Sequence, residues 1–106
     1  MFLFLQFLCA GDWFAVLDSC YLILSIQLTQ PIALDRCITN GGQLANVTSD
    51  QELAALVDYM ATNALADVYT INGHDPNDNT LCKVINLDNI VFDDCGRKRK
   101  TLCERT

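Results

Sequence analysis

The chain has 106 residues, 51% hydrophobic and 19% charged, as expected of one small folded domain rather than a disordered or wholly membrane-buried chain. Seven Lys and Arg against 13 Asp and Glu leave a net charge of −6, which argues against a general binder of nucleic acid or heparin. Six cysteines place it among small secreted domains stapled by disulfides, and a single histidine, His74, leaves little room for a His-rich metal site or a Ser-His-Asp hydrolase.

Residues 1–8, Met-Phe-Leu-Phe-Leu-Gln-Phe-Leu, form an apolar run. It is too short to cross a bilayer, which takes about 20 apolar residues, and no transmembrane span is expected elsewhere. The run resembles the core of a truncated secretory signal, although it lacks a basic n-region and no small-x-small cleavage site follows it. The alternative is an ordinary apolar first strand. The domain proper is expected over 9–106.

Aromatic and β-branched residues crowd 11–28, from Trp13 and Phe14 to Ile26 and Leu28, and read as a strand pair or hairpin. Thr29 offers an N-cap to a short helix over 30–38, with Pro31 tolerated in its first turn and Asn40-Gly41-Gly42 closing it. Ser49-Asp50-Gln51-Glu52 is a capping box, in which Ser49 and Glu52 satisfy amides left unpaired at a helix start. Leu53, Leu56, Val57 and Met60 follow at helical spacing, so a second helix runs from 50 to about 64. A short strand is expected at 66–71, a loop at 72–79, strands at 81–87 and 90–92, a turn at 96–100 and a closing strand at 101–105. Strands, then two helices, then strands define an α+β class.

Spacing alone leaves many pairings of the cysteines open. Cys9 and Cys20, with Trp13 between them and Tyr21 behind, resemble the N-terminal hairpin of long-form C-type lectin-like domains. Ala33-Leu-Asp-Arg-Cys37-Ile-Thr-Asn-Gly41-Gly42-Gln-Leu44-Ala45-Asn-Val47-Thr-Ser49-Asp-Gln-Glu52 resembles the first-half signature of that family. Cys82, Cys95 and Cys103-Glu104 are similar to its closing cysteines and final Cys-Glu. The resemblance implies a C-type lectin-like fold with two helices, short antiparallel sheets and three bridges, Cys9–Cys20, Cys37–Cys103 and Cys82–Cys95. The middle departs from the family. Asp67–Asn72 stands where a Trp-Ile-Gly-Leu strand is usual, with Tyr69 in the tryptophan's place, and almost all of the long loop is missing. Gln30 also replaces the usual tryptophan of the first helix.

The resemblance implies recognition rather than catalysis, and pairing of all six cysteines leaves no free thiol as a nucleophile. Asp75-Pro76-Asn77 resembles the Glu-Pro-Asn of mannose-type members, and Asp93-Asp94 behind Phe92 stands for a second ligand pair. Asp75, Asn77, Asp93 and Asp94 are therefore the expected ligands of Ca2+ and of two vicinal sugar hydroxyls, Ca2+ taking about 6–8 oxygens. Thr80 stands where an acidic ligand is expected, and Asp93-Asp94 abut Cys95 directly. A solvated acidic turn is the plainer account of these residues.

The first functional expectation is thus a secreted module that binds carbohydrate with calcium. The alternative is a calcium-independent protein-interaction domain, and a third is a chain deprived of part of its core. Arg97-Lys98-Arg99-Lys100 holds four of the seven basic residues and reads either as a dock for an anionic partner or as a solvated hairpin tip. Asn46-Val47-Thr48 is a glycosylation sequon with Asn46 expected outward and Val47 inward. His74 reads as a loop residue.

Overall fold

The computed structural model describes residues 9–105, so the expectation for residues 1–8 lies outside the described residues. The elements are β1 (Phe14–Val16), β2 (Ser19–Leu28), α1 (Gln30–Thr39), β3 (Gln43–Leu44), α2 (Asp50–Thr62), β4 (Val68–Asp75), β5 (Asp78–Asn86), β6 (Asn89–Asp94) and β7 (Arg99–Arg105). The strands join in one sheet in the order β1-β2-β7-β4-β5-β6, with β3 also on β7. Every pair is antiparallel except β4–β7. The α+β class stands, but the expected separate antiparallel sheets are a single mixed one. The closing strand produces this result, because β7 inserts between β2 and β4 and pairs with each.

Thr29 occupies the N-cap of α1 by its backbone, yet its side chain makes no capping bond, and Pro31 supplies the preset first turn. The other end is a Schellman closure: the Gly42 N–H donates to Cys37 O at 2.9 Å and the Gly41 N–H to Ile38 O at 3.0 Å. Gly41 has φ +92°, which favours glycine. Gly42 is needed for space, since a Cβ there would lie 2.7 Å from both Glu104 O and the Trp13 ring. In α2 the Ser49 hydroxyl accepts from the Glu52 N–H at 3.1 Å. Glu52 accepts in return from the Thr48 N–H at 3.3 Å rather than from Ser49, a capping box displaced by one residue.

The expected loop at 72–79 is instead the tip of a hairpin. β4 continues to Asp75 and β5 begins at Asp78, so only Pro76 and Asn77 lie between the strands. Gly, Asn, Asp and Pro marked a turn, but the polar residues around it continue an exposed stretch of strand. Buried residues of α2 (Leu56, Met60) pack on Tyr69, Ile71, Ile85 and Leu102 of the sheet, with Val47 turned inward as expected. A second cluster joins Leu22, Ala33, Leu44 and the Cys37–Cys103 bridge beside Trp13. Cys9–Cys20 and Cys82–Cys95 are the other two disulfides.

Candidate functional site

The four residues expected to hold calcium fall at one end of the sheet, and carboxylate oxygens of Asp75, Asp93 and Asp94 are engaged there by the chain itself. Asp75 closes the β4–β5 tip by accepting from the Asn77 N–H at 2.9 Å. Asp94 closes the turn after β6 by accepting from the Gly96 N–H at 2.8 Å. Asp93 ion-pairs with Arg99, with Arg97 3.9 Å away, and its second oxygen accepts from the Asp94 N–H at 2.8 Å. Asp93 is paired with Cys82 and Asp94 with Leu81 on β5. Neighbouring residues of a strand project to opposite faces, so these two carboxylates diverge. Among the described residues, Asp75, Asp93 and Asp94 do not form a cluster able to share an ion. Thr80 is a capping partner, its N–H and hydroxyl donating to Asp78 at 3.0 and 2.6 Å, and these bonds lower the Asp78 pKa.

The basic run is half neutralised by the same logic. Arg99 belongs to Asp93, and Lys100 lies 2.7 Å from Asp67, whose carboxyl it holds below the usual carboxylate range. Arg97 and Lys98 remain exposed at the tip. The β5–β6 hairpin leaves Leu87 exposed at its turn and Val91 and Phe92 exposed along β6.

Sequence reasoning missed a cleft at the opposite, terminal end of the sheet. It has a volume of about 370 Å3 and is lined by Ser19, Tyr21, Asn46, Thr48, Glu52 and Glu104 among others. The register places Tyr21 against Glu104 across β2–β7. Glu104, only 5% exposed, accepts from the Ser19 hydroxyl and the Asn46 N–H, each at 2.8 Å. Glu52 accepts from the Tyr21 hydroxyl at 2.7 Å. Among the described residues neither carboxylate forms an ion pair. The available signals were the terminal Cys-Glu and the capping-box glutamate, two acids distant in sequence that β7 brings together. Asn46 is exposed on the rim, as expected of the sequon.

No protein-family model matches the sequence, and no curated protein matches it. Its structure nonetheless superposes on solved proteins of one fold. The snake venom toxin convulxin aligns at a TM-score of 0.78 with 16% identity, over 92% of this chain and 97% of that one. SPL-1, solved as a complex with GlcNAc, aligns at 0.77 with 17% identity, over 94% and 96%. Rhodocetin in complex with the integrin α2-A domain aligns at 0.73 with 19% identity, over 92% and 98%. The chain therefore has the C-type lectin-like fold. No helix among the described residues is long and apolar enough to cross a membrane.

Proposed function

We propose that the chain is a secreted recognition module that binds an extracellular protein surface and does not bind sugar through calcium at the hairpin end. The observation that carries this reading is the engagement of Asp93 by Arg99, together with the use of Asp75 and Asp94 to close their own turns. A carboxylate already paired with a guanidinium and a backbone amide has little left to offer an ion. Rhodocetin supports the reading by example, since the same fold there meets an integrin domain. The contact region would be the β6 edge of the sheet, where Val91 and Phe92 are exposed on its two faces ahead of the turn that carries Arg97 and Lys98. SPL-1 with GlcNAc is the precedent for the sugar-binding alternative.

Chromatography on immobilised mannose and GlcNAc tests this. No retention is expected, with calcium or with EDTA. Calcium-dependent retention abolished by Asp75→Asn or Asp93→Asn would contradict the proposal. Replacing Arg97 and Lys98 with serine should weaken capture of the protein ligand, and more so at low salt.

A second reading rests on Glu104, an almost fully buried carboxylate with no cation paired to it among the described residues. Glu104 and Glu52 accept hydrogen bonds from Ser19, Asn46, Tyr21 and Thr48, but these donors are neutral and, unlike the guanidinium at Asp93, leave the two negative charges to attract a hard cation. Calcium taken up there would neutralise a buried charge and tie β7 to the start of α2, a structural role away from the contact face. In a secreted chain Asn46 would carry a glycan on the cleft rim, and a mass shift on treatment with an N-glycosidase reads its occupancy.

A further inference from the structure

We propose that reduction of the Cys82–Cys95 disulfide converts the end of the β4–β5–β6 sheet into a zinc site, with the two thiolates and His74 as ligands. One ligand atom from each of His74, Cys82 and Cys95 lies within 4.8 Å of the others in the folded chain. The register accounts for their meeting. His74 is opposite Cys82 across β4–β5, and directly paired residues project to the same face. This pairing depends on an irregularity between Thr70 and His74, where Gly73 has φ +127°. Thr70 pairs with Val84, so an uninterrupted ladder would put Asn72 opposite Cys82. The bulge moves His74 into that place.

Cys95 follows β6 directly, and its N–H donates to Thr80 O at 2.9 Å. That backbone bond holds the turn against β5 independently of the sulfur bridge, so the two sulfurs remain neighbours when the bridge opens. Cys82 is buried, but the bridge is reached from the Cys95 side, where Cys95 is half-buried and His74 exposed, whereas both Cys37 and Cys103 are fully buried.

Neither sulfur is a thiolate ligand while they are bonded to each other. A dithiol reductant of the thioredoxin class supplies the two electrons. The S–S bond breaks, the sulfurs take up two protons, and the dithiol closes to its own disulfide. Zn2+ then binds both sulfurs as thiolates and releases two protons to solvent. The His74 imidazole gives the third ligand, and water the fourth corner of the tetrahedron. Two sulfurs and an imidazole favour zinc over the hard cations. Coordination thus replaces the covalent clip and adds β4 to it.

Co2+ is the probe, because tetrahedral thiolate coordination gives it visible d–d bands and an ultraviolet charge-transfer band. The full chain is titrated before and after reduction with a phosphine, with near-ultraviolet circular dichroism reporting the fold. The oxidised chain should show neither band. The reduced chain should bind one Co2+, and Zn2+ should displace it. His74→Ala, at an exposed position that leaves the oxidised fold unchanged, should weaken binding by more than about tenfold, or 1.4 kcal/mol. Cys82→Ser with Cys95→Ser should abolish the bands. Equal affinity in His74→Ala would overturn the proposal, whether the reduced chain is folded or not. Bands that survive in the double serine variant would overturn it too, by placing the metal on the other cysteines.

Discussion

Tyr21 shows how one residue links fold and cleft. Its ring is buried between β1 and α2 while its hydroxyl donates to Glu52 at 2.7 Å. Burial, then the Glu52 hydrogen bond and the nearby Glu104 charge, raise its pKa well above the ordinary 10.0. Burial also raises that of Tyr69. The folded state therefore keeps phenol protons that the unfolded chain gives up, and the associated stability is complete below pH about 10 and lost as pH rises beyond it. Alkaline melts should show this loss, and Tyr21→Phe should reduce its steepness. Thr101 makes the opposite point. Its hydroxyl is buried without a hydrogen-bond partner among the described residues. Thr101→Val keeps the shape and removes the unsatisfied oxygen, so it should stabilise the fold by about 1 kcal/mol in a denaturant titration.

At the scale of elements, what was legible followed from strong local signals. The Ser49–Glu52 box and the spacing of Leu56 and Met60 fixed the start and inner face of α2, and Ser49→Ala should cost about 1 kcal/mol, read as a lower melting temperature. Asn40-Gly41-Gly42 correctly marked the end of α1. Gly42→Ala, which would force a Cβ against Glu104 and Trp13, should cost roughly 1–3 kcal/mol in the same assay. Strand partners were less legible, because pairing depends on long-range contacts that periodicity does not encode. The two-residue β3 and the parallel β4–β7 pair have no local signature. The hairpin at Asp75–Asp78 was hidden by turn-forming residues that in fact occupy strand ends. The same hidden register decides the candidate site. Asp93 and Asp94 resemble a ligand pair in one dimension, but Arg99, six residues on, turns back along β7 to neutralise Asp93.

For the whole molecule, the Cys37–Cys103 bridge ties α1 to the central β7 across a sequence separation of 66. Closing a loop of that length stabilises a domain by roughly 4 kcal/mol in the chain-entropy model. Cys37→Ala with Cys103→Ala should therefore lower stability by about that amount in chemical denaturation. The covalent frame and the shared core hold the chain in its C-type lectin-like fold. At the hairpin end the strands use their acids to close turns and hold arginines. The opposite end keeps two acids, Glu52 and Glu104, facing a cleft without a paired cation among the described residues.

These two ends give different answers to the same titration. Backbone amide chemical shifts of the labelled, oxidised chain, followed as calcium is added, report on each residue separately. The amides of Asp75, Asn77, Asp93 and Asp94 should stay where they are, with any saturable movement confined to Asn46, Thr48, Glu52 and Glu104. Joint, saturable movement at Asp75, Asn77, Asp93 and Asp94 would contradict it and restore calcium, and with it sugar, to the hairpin end.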